Sequence, residues 1–266
     1  MSKDVRGREQ SDIAARMLGG REFVVGRLRV DDLHADLRRV DGPADGPNFV
    51  LVHGIGVSAR YFQPLAIELA RVGTVWLIDL PGYGAVPKPR RTVTIDDHAT
   101  VLASVIEQAA ITDPVLVGHS MGCQVVAALA ARSPDVSDRL VLLGPTINPA
   151  ERSFWWASFR LFQDILREPF RANLVVGTDY FFRCGPAYYI RQLPQLLGDH
   201  IEERLVQIEV PTLVIAGERD PVARRGWVNE AARLLPHGTV AFVRGPHVIM
   251  FTDPAGVARL IVDHLA

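Results

Sequence analysis

The chain has little cysteine, little lysine, no excess of either charge and no long apolar run. Its two cysteines, Cys123 and Cys184, form neither a metal-ligand nor a dithiol redox spacing. Lysine occurs only as Lys3 and Lys88, a bias that carries no chemistry. No run approaches the ~18 apolar residues that a bilayer-spanning helix requires. The net charge of −1 gives no footprint for nucleic acid, and the Lys88, Arg90, Arg91 cluster reads as a solvated loop. Met1 to Gln10 is charged and lacks the apolar core of a secretory signal, so the cytoplasm is the expected location. H-E-x-x-H is absent, and His34, His98, His200, His237 and His264 fit no metal-ligand spacing. They read as surface or packing residues, and neither a metal nor a cofactor is expected. Asp79 with Gly82 and Gly84 reads as a structural turn, because a dinucleotide fingerprint needs G-x-G-x-x-G opening a helix after the first strand.

What is present is enough apolar residue for one large α/β domain: 48% of 266 residues are hydrophobic. Residues 1–20 are polar and read as an N-terminal arm. Arg21 to Val30 and Leu33 to Val40 alternate apolar and polar residues around Asp31-Asp32, the pattern of an antiparallel hairpin. Buried strands are predicted at Asn48 to Val52, Thr74 to Ile78, Pro114 to Val117, Arg139 to Leu143, Thr212 to Ala216 and Val240 to Val243. Helices are predicted between them: one capped by Ser58 and running to about Arg71, one opened by a Thr94/Asp97 capping box and running to about Ala109, and Ala223 to Leu235. Asp253-Pro254 opens the last. Such alternation implies a mostly parallel sheet covered by helices on both faces.

The alternation stops between residues 146 and 208. That stretch is aromatic, and Trp155, Phe159, Phe162 and Leu166 recur at i, i+4, i+7 and i+11 on one helical face. Phe154, Leu161 and Ile165 make a second apolar stripe. A helix apolar on two sides suits a cap over a pocket, or an ordinary core helix.

The polar residues gather where strands end, the place where open parallel sheets build their sites. Gly118-His119-Ser120-Met121-Gly122 follows Val115-Leu116-Val117 and precedes an alanine-rich helix, the pattern of a nucleophile elbow. Cys123, just behind the serine, reads as a small packing residue. His53-Gly54-Ile55-Gly56, Asp79 to Gly84, Gly217 to Val222 and Gly245-Pro246-His247 each follow another strand. A serine, an acid and a histidine therefore occur in the order of α/β-hydrolases. On these motifs the chain, from about residue 22 to its C-terminus, resembles the α/β-hydrolase superfamily and, within it, capped serine hydrolases such as carboxylesterases.

A serine hydroxyl needs a base, and His247 is the candidate. The base needs a buried carboxylate, and Glu218 and Asp220 follow the same strand. The resemblance implies Asp220, in its Asp-Pro-Val position. It also implies a core of residues 21–145 and 209–266, a helical cap at 146–208, and an oxyanion hole from the backbone N–H groups of Ile55 and Met121. Trp155, Phe159, Phe162, His119 and Val248 are the candidate pocket residues. His53 reads as support for the oxyanion turn; Ser58 and Tyr61 read as cap and packing. Ser120, where dehalogenases and epoxide hydrolases carry aspartate, implies an acyl-enzyme. The leading expectation is hydrolysis of a small hydrophobic ester or thioester. A C–C hydrolase, with Arg160, Arg183 or Arg191 recognising its substrate's charge, a cofactor-free haloperoxidase and a non-enzymatic receptor are the alternatives.

Overall fold

The computed structural model describes residues 23–146, 148, 149, 152 and 170–266. Eight strands form one sheet in the order β1-β2-β4-β3-β5-β6-β7-β8. They are β1 (Phe23–Val30), β2 (Leu33–Val40), β3 (Asn48–Val52), β4 (Thr74–Asp79), β5 (Pro114–His119), β6 (Arg139–Leu143), β7 (Thr212–Gly217) and β8 (Gly238–Val243). The β1–β2 and β2–β4 pairs are antiparallel and all others parallel. The predicted hairpin turns at Asp31, whose φ of 54° is a left-handed conformation that aspartate tolerates better than most residues. Arg27 lies directly across from Asp36 and donates to it at 2.7 Å.

Helices cover both faces. Val50, Val52, Leu116, Leu140, Leu142 and Val214 point to the side of α2 (Ile95–Gln108), α3 (Met121–Arg132) and α7 (Arg225–Leu234). Their neighbours Phe49, Leu51, Val115, Val117, Val141, Leu213 and Ile215 point to α1 (Gln63–Leu69), α8 (Ile249–Thr252) and α9 (Pro254–Asp263). The period-two alternation explains why the central strands read as continuous apolar runs: each face has its own core. Thr94 caps α2 through the expected box with Asp97, and Asp253 caps α9 by accepting from Gly256 N–H.

One local expectation is corrected. Ser58 does not cap a helix with its side chain; a 3-10 turn at Ala59–Phe62 precedes α1, and the Ser58 hydroxyl bonds Asp179 instead. Between β6 and β7 the described residues form α4 (Phe170–Thr178), a π turn at Asp179–Cys184, α5 (Pro186–Gly198) and α6 (Ile201–Leu205), with no strand among them. Residues 1–22 and the stripes around Trp155, Phe159 and Phe162 lie outside the described residues. No described helix is long and apolar enough to cross a membrane.

The order of strands reverses at β3, which has β4 on one side and β5 on the other. Crevices at the carboxyl ends of such strands are where open α/β sheets hold ligands. Val52 is in register with Gly118, His119 with Leu143, and Gly217 with Val243. The turns that follow these strands therefore emerge at one level.

Candidate active site

Ser120 occupies the junction of β5 and α3 with φ 55° and ψ −119°. A non-glycine residue held this way costs about 1–3 kcal/mol and needs its surroundings to hold it. Its N–H donates to Leu143 O at 3.0 Å, and its carbonyl accepts from Cys123 N–H at 2.9 Å. The flanking glycines are sterically required. A Cβ on Gly118 would sit 2.4 Å from Gly122 O, and one on Gly122 only 2.1 Å from Val52 O. Cys123 is buried behind the serine, where its thiol donates to Gly118 O and Leu143 O, and burial raises its pKa.

Asp220 and His247 come from the turns after β7 and β8. His247 Nδ1 donates to Asp220 Oδ2 at 2.8 Å. The other carboxylate oxygen accepts the N–H groups of Val222 and Ala223 at 2.7 and 2.8 Å, which fixes its orientation. Glu218 is exposed, whereas Asp220 is buried, so of the two candidate acids only Asp220 meets the histidine. With Nδ1 donating, Nε2 is left to accept a proton. Gly144, at the end of β6, presses against this pair with φ 53°. A Cβ there would lie 2.9 Å from His247 Cε1 and 3.3 Å from Asp220 Oδ2. Nothing in the local sequence marks this glycine, because the side chains it packs against come from the turns after β7 and β8.

The turn after β3 is held from both sides. His53 Nε2 accepts Leu80 N–H at 3.0 Å, so Nδ1 carries the ring proton and donates to Gly54 O at 2.7 Å. Gly54 O and Ile55 N–H belong to one planar trans peptide and point opposite ways; the His53 ring thereby aims the Ile55 N–H. Burial lowers the His53 pKa, which keeps this tautomer neutral. Gly54 packs so closely that a Cβ on it would lie 3.0 Å from Ser120 Cβ. The Met121 N–H opens α3 and, like that of Ile55, has no hydrogen-bond acceptor among the described residues.

His119 is buried beside the elbow, with its ring centroid 4.6 Å from that of His247. Val248 is buried in the core on the α1 and α9 side. Asp79 is structural: its carboxylate accepts from Ala59 N–H and Arg38, both at 2.6 Å, and fills the space a Cβ on Gly84 would need. Asp179, fully buried in the π turn, accepts from Ser58 N–H at 3.0 Å, from the Ser58 hydroxyl and from Arg60 at 3.1 Å. It ties the helical segment to the chain just past the β3 turn. Nothing in the local sequence marks its contact with the β3 turn, because Ser58 and Arg60 lie more than a hundred residues away. Tyr180 and Tyr189, meeting edge-to-face with ring centroids 5.0 Å apart, lie over Gly56. Tyr188 covers Gly82 and donates to Pro81 O at 2.7 Å. Among the described residues there is no group of three or more His, Cys, Asp or Glu side chains arranged to hold a metal.

A family model described as "Alpha/beta hydrolase family" matches residues 49–260. The "Magnesium-chelatase 30 kDa subunit" of Rhodobacter capsulatus is 26% identical over 84% of this chain and 88% of its own length. The "2-(acetamidomethylene)succinate hydrolase" of Mesorhizobium japonicum is 29% identical, over 50% of this chain and 45% of that protein. The "Pimeloyl-[acyl-carrier protein] methyl ester esterase" of Pseudoalteromonas atlantica is 35% identical over 37% of each. These last two matches span less than half of the relatives concerned. Among solved structures, a membrane phospholipase A superposes with a TM-score of 0.81 at 24% identity, covering 97% of this chain and 89% of that one. The enol-lactonase of Burkholderia xenovorans LB400 does so with a TM-score of 0.78 at 19% identity, covering 90% and 99%. Both likenesses concern the fold.

Proposed function

The chain belongs to the alpha/beta hydrolase family, and on that premise we propose that it is a serine hydrolase cleaving a small hydrophobic carboxylic ester or thioester through an acyl-enzyme on Ser120. The observation that carries this reading is the 2.8 Å bond from His247 Nδ1 to Asp220, formed at the same end of the sheet as the strained Ser120 elbow.

In this mechanism His247 Nε2 takes the Ser120 hydroxyl proton as Oγ attacks the acyl carbon. Asp220 stabilises the imidazolium. The N–H groups of Ile55 and Met121 receive the oxyanion, and such donors are typically worth about 2.7–4 kcal/mol each in the transition state. His247 then protonates the departing alcohol or thiol, and water, deprotonated by the same nitrogen, releases the acid. We place residues 146–208 over this site as its cap.

Ester chemistry is favoured over C–C cleavage by the cap arginines. Arg183 pairs with Asp179 at 3.4 Å, and Arg191 donates to Pro89 O at 2.7 Å while lying over the Tyr188 ring. Both are engaged within the protein, although Arg191 Nε is buried without a hydrogen-bond partner among the described residues; Arg160 lies outside the described residues. The names of the esterase relative and of the enol-lactonase accord with acyl transfer. A second reading, a non-hydrolytic subunit on the same scaffold, draws on the match to a protein named as a magnesium-chelatase subunit. A panel of p-nitrophenyl esters and acyl thioesters of increasing chain length decides between them. Turnover abolished by Ser120→Ala supports the hydrolase; no serine-dependent turnover across the panel supports the subunit.

A further inference from the structure

Tyr61 is an ordinary packing residue by sequence, yet its hydroxyl is buried at the centre of a hydrogen-bonded chain. It accepts the N–H of Gly54 at 3.0 Å. It lies 2.7 Å from His119 Nδ1. His119 Nε2 lies 3.2 Å from His247 O, and a carbonyl only accepts, so Nε2 carries the ring proton and Nδ1 is the acceptor for Tyr61. The direction of every bond is thereby set: Gly54 N–H to Tyr61 oxygen, Tyr61 O–H to His119 Nδ1, His119 Nε2–H to the carbonyl of His247.

We propose that Tyr61 and His119 are positioning residues that lock the oxyanion turn to the loop carrying the base, so that Ile55 N–H and His247 keep a fixed separation across Ser120. The inference rests on the serine-hydrolase reading and adds a device to it. The two ends of the chain are the backbone of Gly54, one residue before the oxyanion donor, and the backbone of the base itself. Both intermediates are buried, with Tyr61 1% and His119 3% exposed, so water does not compete for these bonds. The rings also pack: Tyr61 meets His119 edge-on at 5.3 Å, and Phe62 does so at 6.4 Å. A relay with this polarity requires a neutral imidazole. Burial, reinforced by the neighbouring His247, holds the His119 pKa well below the usual value. Neither residue touches the reacting atoms in the proposed mechanism; each acts through the backbone it holds. Misplacement of catalytic groups by about 1 Å can cost on the order of 10²-fold in rate, so loosening either end is expected to lower turnover more than binding.

The test uses Tyr61→Phe, which removes the hydroxyl and keeps the ring, and His119→Gln, which keeps a donor near His247 O and loses the Nδ1 acceptor. Steady-state kinetics on p-nitrophenyl butyrate are read with the rate of fluorophosphonate labelling of Ser120. The relay predicts that Tyr61→Phe lowers kcat by about 10- to 100-fold with KM within about two-fold, and slows labelling in parallel. His119→Gln behaves likewise, which keeps the question answerable if Tyr61→Phe does not fold. A wild-type enzyme that turns over and is labelled, beside variants of equal kcat, overturns the relay alone. A variant that raises KM with kcat unchanged also overturns it, since that is loss of pocket shape. A wild-type protein that is neither labelled nor active overturns the hydrolase reading and the relay with it.

Discussion

Asp220 holds His247 through one carboxylate oxygen and two backbone N–H groups through the other. The side chain is thus anchored independently of the histidine it orients. Replacing it by asparagine keeps the size but places an amide where an acceptor is needed, which favours the wrong imidazole tautomer. Asp220→Asn is expected to lower kcat by on the order of 10³–10⁴. Glu218→Gln, at an exposed neighbour, is expected to stay near wild type. Ester-hydrolysis kinetics on both variants check this; the reverse ranking would mean the acid is misassigned.

Gly144→Ala is expected to damage activity more than folding. The new methyl would meet the side chain of His247 at 2.9 Å, and a φ of 53° is strained for alanine. The imidazole has to give way. A fall in kcat of about 10-fold or more, with circular dichroism unchanged, is the expected result. Gly122→Ala meets backbone, Val52 O at 2.1 Å, which cannot move cheaply, and should lose soluble folded protein.

Asp179→Asn removes the charge that faces Arg60 and Arg183 at the join between the helical segment and the β3 turn. The carboxylate is buried, while both arginines are about a third exposed, so solvent screens part of the loss. A destabilisation of about 2–3 kcal/mol is expected, or a Tm lower by on the order of 5–10 °C. Limited proteolysis should cut first within residues 170–198. Cleavage unchanged from wild type would show that this contact does not fasten the segment.

Three buried histidines make stability sensitive to acid. Burial lowers the pKa of His53 and His119, and takes that of His98 from 6.5 to about 3. Above about pH 6.5 the folded and unfolded chains both carry neutral rings, and these groups give no slope. As pH falls below that value the unfolded chain takes up protons that the buried rings refuse, so stability declines by up to about 1.4 kcal/mol per pH unit per group. Neither His98 nitrogen has a hydrogen-bond partner among the described residues, and the Gln192 amide nearby opposes the shift without completing a bond. His98→Leu is therefore expected to reduce the drop in Tm between about pH 7 and about pH 5. An identical drop in the variant would contradict this account.

The parts of the fold legible in sequence were those whose causes are local. The Asp31 turn, the Thr94/Asp97 box and the Asp253 cap act within a few residues of themselves. The continuous apolar runs of β3 and β5 announced strands buried on both faces. Glycines at 118 and 122 flagged the elbow through their spacing about the serine; the clash at Gly118 is local, with Gly122 O, whereas that at Gly122 is with the remote Val52 O. Asp220 and Glu218 could not be separated from residue pattern alone, since both follow β7; burial and the contact with His247 separate them in space. Tyr61, Gly144 and Asp179 were missed or read blandly because each acts through a partner remote in sequence. The Ser58 hydroxyl, drawn away from a helix cap by Asp179, is the same effect in reverse.

The central claim is that Ser120 is the nucleophile, and intact-mass spectrometry after fluorophosphonate treatment tests it most directly. The account predicts a single adduct per chain, mapped to the peptide containing Ser120, formed in step with loss of ester hydrolysis and absent in Ser120→Ala. A wild-type chain that hydrolyses esters while remaining unlabelled, or labelling that persists in Ser120→Ala, would contradict it.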